Sequence, residues 1–464
     1  MRGEIGNRYV GLPGRFLGRF AMLVMAGMVT VAPARSQTLQ ESLSGAYVTN
    51  PQLDAARANL RAVDETVPQA RALARPSAGA SISNGPAWTR SNLLPPPRVI
   101  RTNPTNIGVS VTQPIYQGGR IDASIDQAES RVQAERATLH DTEQTILLQA
   151  AVSYFDVARD YSALDLQVNF ESFQKRDLEA FRDRFRVGEV TQTDVSLQEA
   201  QFANATAQRV AAEGSLASSR ATFTRLMGAP PGRLSLPRLN YPLPATLEET
   251  VALAQAHNPR VVNAQFSETV ANKAVDISDA ALLPTLGVTA TVARNLERSF
   301  PDDYTNSASV IATLTIPLDN GAVAARSRGA RQSANAARIN IEQAKRAARE
   351  AAISGWQTLT TVRASIASFQ AAVKANEMAA EGMRQQVQVG ASTVIDLLNT
   401  EQQLLNARVN LLRAQHDEDA AIFTVLAAVG NLTARTLSLP VEYYDYEAHY
   451  NAVRNKWFGI GTDE

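Results

Sequence analysis

The stretch Leu39–Pro51 reads LQESLSGAYVTNP, and Leu247–Pro259, 208 positions later, reads LEETVALAQAHNP. A second pair repeats at an offset of 202, because VGEVTQTDVSL at Val187–Leu197 returns as VGASTVIDL at Val389–Leu397. The two offsets are nearly equal, so both pairs mark equivalent points in two halves of the chain. A unit of about 200 residues is far longer than one solenoid repeat. The sequence therefore predicts one architecture that occurs twice.

The N-terminus has the order of features found in secretory signals. Basic residues precede an apolar run from Phe20 to Val31, and small residues follow at Ala34 and Ser36. This order predicts a signal peptide at 1–36, with cleavage after Ala34 or after Ser36. The apolar run is shorter than the ~20 residues of a membrane-spanning helix, and no later stretch is long enough. A mature protein embedded in a membrane would therefore have to cross it with strands.

Two regions without proline predict long helices. No proline lies between Pro114 and Pro230, or between Pro317 and Pro440, and both regions are rich in good helix formers. Apolar or alanine positions recur every seven residues in both, which is the period of helices that supercoil against neighbours. An ordinary globular helical core is the alternative. The predicted layout is a first repeat at 37–236 (leading helix 39–73, strand pair 77–116, long helix 119–187, return helix 191–226), a second repeat at 237–430 (leading helix 247–283, strand pair 285–317, long helix 322–389, return helix 393–429) and a C-terminal tail at 431–464.

Before each long helix the apolar period changes to two. Ile107, Val109 and Val111, for example, alternate with small or polar residues, and strands of about ten residues suit a tilted crossing of a bilayer. The polar connections around 92–103 and 296–306 are expected to be loops. Four strands leave two open edges, and the smallest membrane barrels have about eight strands. A membrane protein of this design must therefore oligomerise; two soluble hairpins on a helical bundle are the alternative.

Each long helix ends at a glycine, Gly188 or Gly390, which suits a left-handed C-terminal cap. The segments TQTD and TVID that follow are capping boxes, with Asp194 and Asp396 at the third helical position. A structural role is therefore available to both acids. The symmetry of an oligomer would also copy Asp396 into an acidic ring that favours cations and raises its own carboxyl pKa values. Both roles stay open for Asp396, whereas the cap is favoured for Asp194.

A row of polar, mostly carboxamide side chains follows the return helices. Such a row could line a wet interior without binding cargo tightly, and a solvated outer face is an equally good interpretation. The lumen-lining candidates are Gln201, Gln208, Gln403, Asn406 and Asn410.

Composition argues against several functional classes. The 45 basic and 45 acidic residues leave a net charge of zero and form no basic block, which argues against a nucleic-acid partner. The absence of cysteine excludes disulfides, thiolate zinc sites and cysteine nucleophiles. The histidines have no metal-ligand spacing, and His140 and His416 are expected on helix surfaces. We therefore predict no enzyme and no cofactor.

The chain resembles the TolC-type outer-membrane efflux family in its duplicated strand-and-helix halves, its signal peptide, the segment QPIYQGGR at Gln113–Arg120 and the two VGxxxxxD turns. The resemblance covers nearly all of the mature chain. It implies a mainly α-helical fold with a small β part, four membrane strands per chain, and a homotrimer whose twelve strands form one barrel continued by a helical periplasmic tunnel. It also implies docking to a periplasmic adaptor protein and to an inner-membrane transporter, either an ABC or a proton-driven one.

The resemblance also implies roles for residues at the turns. Asp396 matches the family's entrance-ring acid, Asn399 stands where some members have a second acid, and Asp194 is the acid of the other half. Family members can lock the closed state with a basic and a tyrosine side chain, but Ser392 and Val387 occupy those positions here, so that lock is missing. The implied adaptor contacts are Gly188, Thr191, Gly390, Ser392 and Thr393.

The resulting prediction is a passive, gated exit duct in the outer membrane that extends into the periplasm and is powered by a partner. The tail from Tyr444 to Trp457 is similar to that of the branch serving type I protein secretion, which favours that branch over drug efflux. A trimeric coiled-coil surface adhesin is one alternative, although it predicts no internal duplication. A soluble periplasmic helical protein is the other.

Overall fold

The computed structural model describes residues 37–91, 98–235, 241–298, 302–318 and 320–461, so the predicted signal peptide at 1–36 lies outside the described residues. Among the described helices, none combines the length and hydropathy needed to cross a membrane. The elements are α1 Leu39–Thr49, α2 Pro51–Asp64, α3 Thr66–Ala72, β1 Ser77–Asn84, β2 Ala87–Ser91, β3 Arg98–Thr102, β4 Thr105–Tyr116, α4 Arg120–Arg186, α5 Gln192–Met227, α6 Leu247–His257, α7 Pro259–Ala280, β5 Thr285–Leu296, β6 Tyr304–Thr315, α8 Gly321–Gln388, α9 Val394–Ala428 and α10 Ala448–Val453.

Both leading helices break at the Asn-Pro pair that ends the repeated stretch. Asn50 Oδ1 accepts a hydrogen bond from the backbone N–H of Gln52 at 2.9 Å, and Asn258 Oδ1 accepts one from Arg260 at 3.0 Å. The proline after each asparagine begins a new helix, where its missing N–H leaves no intrahelical bond unmade. The expectation of one continuous leading helix per half is therefore wrong.

The two long helices run for 67 residues in α4 and 68 in α8. At 1.5 Å per residue each spans about 100 Å. Helix α5 returns along α4, and α9 returns along α8, so each half contains one antiparallel pair. Helix α4 also packs against α7 and α9, which are elements of the second half. These contacts join the two halves into one helical body.

The four strands predicted to cross the membrane form one antiparallel sheet in the order β1-β4-β5-β6. Its register pairs Val109 with Val292 and Val292 with Ala308, so the apolar residues of neighbouring strands share one face. Side chains alternate across a strand, and the opposite face is therefore mostly polar or small. The apolar face carries Ile82, Ile107, Val109, Val111, Val292, Val310 and Ala312; the other face carries Ser81, Ser83, Ser110, Thr112, Thr289, Thr291, Ser307 and Ser309.

The connection between β1 and β4 contains a second hairpin. Strands β2 and β3 pair antiparallel, with Trp88 opposite Arg101 and Thr89 opposite Ile100. The loop expected around 92–103 is therefore partly strand, because β3 extends from Arg98 to Thr102. In the short stretch RVIRT, two arginines flank the apolar residues, which leaves too little alternation for a sequence pattern to reveal a strand.

The main core lies where the leading helices, the long helices and the C-terminal tail meet. Phe155 and Phe423 are buried, with ring centroids 5.8 Å apart. Tyr154 is buried beside them, and its hydroxyl donates to the carbonyls of Gln37 and Ser235. The tail closes this region through three buried leucines, Leu432, Leu437 and Leu439.

Two buried acids fasten the tail to the helices. Glu143 of α4 accepts a hydrogen bond from the backbone N–H of Ala434 at 2.7 Å, and burial raises the pKa of this carboxyl. Asp64 at the end of α2 lies 3.0 Å from His449 Nδ1 in α10, and burial raises its pKa as well. The tail is therefore bonded to both the leading helices and α4.

Candidate functional site at the helical turns

The turns after the two long helices have the same backbone geometry. Gly188 has φ +80° and Gly390 has φ +74°, the left-handed conformation that favours glycine. The N–H of Glu189 donates to the carbonyl of Arg184 at 2.9 Å, and the N–H of Ala391 donates to that of Gln386 at 2.8 Å. A Cβ at either glycine would meet nothing within 4 Å, so the backbone angle and not crowding requires glycine.

Both predicted capping boxes are formed. Asp194 Oδ2 accepts hydrogen bonds from the N–H of Thr191 at 2.9 Å and from its hydroxyl at 2.7 Å. Asp396 Oδ2 accepts the equivalent bonds from Thr393, with the N–H at 3.2 Å. Each acid thus stabilises the start of its return helix, both by these bonds and by its charge at the helix N-terminus. Asp194 is half-buried, whereas Asp396 is exposed.

Apolar side chains project at the tips of the turns. Val187 is 71 % exposed and the equivalent Val389 is 80 % exposed. Phe185 and Ile395 beside them are also exposed. The tip of each helical pair is therefore an apolar knob. Of the predicted adaptor contacts at these tips, Gly188, Thr191, Gly390 and Thr393 are exposed and Ser392 is half-buried.

The polar row lies largely on the surface of the single chain. Gln208, Gln403, Asn406 and Asn410 are exposed, as is Asn399 nearer the turn. Gln201 differs, because it is half-buried and donates a hydrogen bond to Gln402 Oε1 at 3.4 Å. Gln402 in turn donates to Asn406 Oδ1 at 3.1 Å. Two members of the predicted row, Gln201 and Asn406, therefore take part in a chain of carboxamides between α5 and α9.

Ser392 and Val387 occupy the two positions where family members can carry the closed-state lock, and both positions make local contacts. Ser392 Oγ donates a hydrogen bond to Gln386 Oε1 at 2.8 Å, which is within its own turn. Val387 is half-buried and offers no polar group to Asp194.

A buried polar cluster above the turns was not anticipated from the sequence. Glu401 of α9 is only 3 % exposed and accepts hydrogen bonds from Arg384 Nε of α8 at 3.2 Å and from Gln174 Nε2 of α4 at 3.1 Å. The Arg384 guanidinium also lies over the ring of Phe173, 4.6 Å from its centroid. Burial, and then the charge of Asp177, raise the pKa of Glu401 to about 7. The cluster joins the two helical pairs through three helices.

The sequence did contain a signal for this cluster. Glu401 stands four residues after Leu397 and four before Leu405, in the buried stripe of α9. An acid on an apolar helical face must find partners or give up its charge. The position of Glu401 is therefore exceptional in the sequence, although the sequence does not identify Gln174 and Arg384 as its partners.

His416 contradicts the expectation of a surface position. Its side chain is 10 % exposed, with Nε2 2.9 Å from Asp156 Oδ1 and Nδ1 2.9 Å from Asp417 Oδ1. Burial alone would lower the pKa of His416, but the hydrogen bonds to the two aspartates outweigh burial and raise it. The histidine therefore ties α9 to α4. Among the described residues no group of three or more His, Asp or Glu is arranged to hold a metal ion.

Comparison with known proteins identifies the family. The family model described as "Outer membrane efflux protein" matches residues 43–229 and 250–431, one stretch in each half. The chain belongs to this outer membrane efflux protein family. It is similar to the outer membrane efflux protein BepC of Brucella suis biovar 1 (strain 1330), with 31 % identity over 447 residues that cover 96 % of both chains.

More distant relatives agree with this assignment. Outer membrane protein TolC of Vibrio cholerae is 25 % identical over 424 residues, covering 89 % of this chain and 95 % of the relative. Among solved structures, the Campylobacter jejuni CmeC outer membrane channel has a TM-score of 0.77 at 16 % identity, covering 90 % of this chain and 89 % of CmeC. The predicted family, the mainly helical fold with a small strand part, the outer-membrane location with extension into the periplasm, and the role of an export channel are confirmed.

Proposed function

We propose that the protein is the gated exit duct of a tripartite export system and that it works as a homotrimer. Within the described residues, β1 and β6 are each paired on one side only. Open strand edges cannot face lipid, because each unpaired N–H and C=O would lose its hydrogen bonds to water. Joining β6 of one copy to β1 of the next, three times over, removes all the edges in a barrel of twelve strands. The proposal depends on this one observation, that β1 and β6 have open edges which must be paired in a membrane.

The two-sided character of the sheet supports a duct. The valine-rich face suits lipid, and the face of serines and threonines suits a water-filled lumen. Outside the barrel, the helical pairs would continue the duct into the periplasm for about the length of α4. Family members are channels and not enzymes, which favours a passive role in which a partner supplies the energy.

The gate is proposed at the turns, with Asp396 and Asn399 forming the constriction and Asp194 beside them. The helix cap uses only Oδ2 of Asp396 and leaves the side chain exposed, so capping and an acidic ring are compatible roles. In a trimer, three copies of Asp396 around one axis would attract cations and repel anions. The exposed carboxamides Gln208, Gln403, Asn406 and Asn410 would line the wet interior above, and Gln201 would border it.

The proposed partners are a periplasmic adaptor protein and an inner-membrane transporter of the ABC or proton-driven class. The apolar knobs formed by Val187 and Val389, together with Gly188, Thr191, Gly390, Ser392 and Thr393, would contact the adaptor. Type I protein secretion stays a prediction. Three tyrosines of the tail pack against the helices: Tyr444 stacks under Arg57, and Tyr446 and Tyr450 stack under Arg136. The resemblance of the tail to the secretion branch can therefore reflect the packing of the fold and does not identify the cargo.

The experiment must distinguish two roles of Asp396, a charged ring in the pore and a hydrogen-bond acceptor at the start of α9. Single-channel recordings in planar bilayers should show a cation-selective pore. Asp396→Asn should reduce this selectivity, because the asparagine carbonyl oxygen can still accept the N–H of Thr393 but the side chain carries no charge. Thr393→Ala is the matched control, since it weakens the cap and keeps the charge. Loss of selectivity in the control, or unchanged selectivity in Asp396→Asn, would rule out the acidic ring.

A further inference from the structure

The end of the tail presents exposed aromatic and apolar side chains at one place. After α10, whose Val453 is buried, the chain continues through Trp457, Phe458 and Ile460, which are 57 %, 84 % and 107 % exposed. The rings of Trp457 and Phe458 are neighbours, with centroids 6.0 Å apart. An exposed cluster of this kind is costly in water and is typical of a surface that meets a protein or a membrane.

Two arginines fix the level of this cluster at the base of the sheet. Arg75, two residues before β1, donates a hydrogen bond to the carbonyl of Lys456 at 2.9 Å and lies over the Trp457 ring at 4.6 Å. Arg71 donates to Asn455 Oδ1 at 2.6 Å. Because β1 begins at Ser77, the Trp457 ring lies next to the point where the chain enters the sheet.

Other exposed apolar residues lie at the same end of the sheet. They come from the junctions where helices give way to strands or strands to helices, so they form a band around the helical side of the sheet. The members of this band are Leu73, Ile115, Tyr116, Leu282, Leu283, Ile316 and Leu318. The tail cluster therefore lies at the same end of the sheet as this band, because Arg75 holds Trp457 two residues before β1 begins.

We infer that residues 455–461 form an interfacial anchor that inserts Trp457 and Phe458 into the phospholipid leaflet on the periplasmic side of the outer membrane. Aromatic rings with a polar edge favour the boundary between head groups and acyl chains, and basic residues at the same level favour the phosphates. Arg75 and Lys456 provide those charges next to the rings, and Arg71, which also pairs with Glu129 at 3.1 Å, lies beside them. The anchor would fix the depth of the helical body relative to the bilayer. The chain has no cysteine, so no lipid can be attached through one for this purpose.

The three tryptophans of the chain, Trp88, Trp356 and Trp457, allow a direct test. A full-length variant carrying Trp88→Phe and Trp356→Phe keeps Trp457 as its only tryptophan. It is reconstituted into vesicles of phosphatidylethanolamine and phosphatidylglycerol whose acyl chains carry bromine close to the head group. We expect blue-shifted emission, and quenching by bromine severalfold stronger than for the matched variant that keeps only Trp356, a residue of α8 in the periplasmic helices.

Two results of the quenching measurement would overturn the anchor. Quenching by aqueous iodide without quenching by brominated lipid would place Trp457 in water, and resistance to both quenchers would place it against a neighbouring copy of the chain. Adding Phe458→Ser to the single-tryptophan variant should weaken the bromine quenching severalfold. Tyr443→Ser, which changes another exposed aromatic of the same tail, should leave it unchanged. Equal effects of the two substitutions would also contradict the proposal.

Discussion

Replacing Glu401 with glutamine should make the helical body more stable at neutral pH and leave its stability at acid pH nearly unchanged. Burial and the charge of Asp177 raise the pKa of Glu401 from 4.5 to about 7, so the folded protein favours the protonated carboxyl. The protonated form can be accommodated by a flip of the Gln174 amide, because Gln174 Oε1 has no hydrogen-bond partner among the described residues. Glutamine at 401 reproduces this neutral form at every pH.

The magnitude follows from the two pKa values. A folded-state pKa of about 7 against 4.5 in the unfolded chain corresponds to about 3 kcal/mol. The folded state binds more protons in this window, so the contribution of Glu401 is fully present below pH 4.5 and is lost as the pH rises through about 7. The stability advantage of Glu401→Gln should therefore grow from near zero to about 3 kcal/mol across this range.

The assay is urea unfolding of the detergent-solubilised protein, followed by far-ultraviolet circular dichroism at a series of pH values. Glu381→Gln is the matched control, because Glu381 also contacts Arg384, at 3.4 Å, but its side chain is 62 % exposed. The control should show no pH-dependent gain. An advantage of Glu401→Gln that is constant with pH, or that appears only in acid, would refute the assignment of a protonated, buried Glu401.

Two further substitutions test packing and charge in the same unfolding assay. Gly430→Ala should lower the free energy of unfolding by more than about 1 kcal/mol, because Gly430 has φ +83° and a Cβ there would clash with the carbonyl oxygen of His257. The control Gly188→Ala has φ +80° but open space around the Cβ, so it should lower the free energy of unfolding by less. Equal losses in the two variants would argue against the close approach at Gly430. His416→Gln should remove a stabilisation that is complete below pH 6.5 and is lost as the pH rises through the higher pKa of the folded state. The control His257→Gln changes an exposed histidine and should not remove such a stabilisation. A stability advantage of the wild type over His416→Gln that increases with pH would contradict the prediction.

The parts of the fold that the sequence predicted are those set by local patterns. Proline-free, heptad-spaced regions predicted α4 and α8, and period-two alternation predicted the four strands of the sheet, because both patterns need only the chain's own periodicity. The break in each leading helix, at Asn50 and Asn258, could also have been predicted, since Asn-Pro favours the start of a helix. It was missed because the residues on both sides follow a helical pattern.

The parts that the sequence did not predict depend on contacts between distant segments. Glu401 is exceptional in the apolar stripe of α9, but its partners on α4 and α8 come from distant segments. His416 looks like an ordinary polar residue of α9 until α4 is placed against it. The same limit applies to the tail, because nothing near Trp457 in the sequence shows that Arg75 lies beside it. For the turns, the capping boxes were predictable because all their atoms come from four consecutive residues.

The most direct test of the shared barrel is a disulfide between the two edge strands. Within one chain β1 and β6 are separated by β4 and β5, so at about 4.8 Å per strand their Cα atoms are roughly 14 Å apart, beyond the ~7 Å limit of a disulfide. The chain has no native cysteine, so Ser81→Cys can be combined in turn with Ser307→Cys, Ser309→Cys and Thr313→Cys, all on the same face of the sheet. Closure by three copies predicts covalent trimers after oxidation for at least one of these pairs. Monomers throughout, from protein inserted in membranes, would contradict the trimeric barrel.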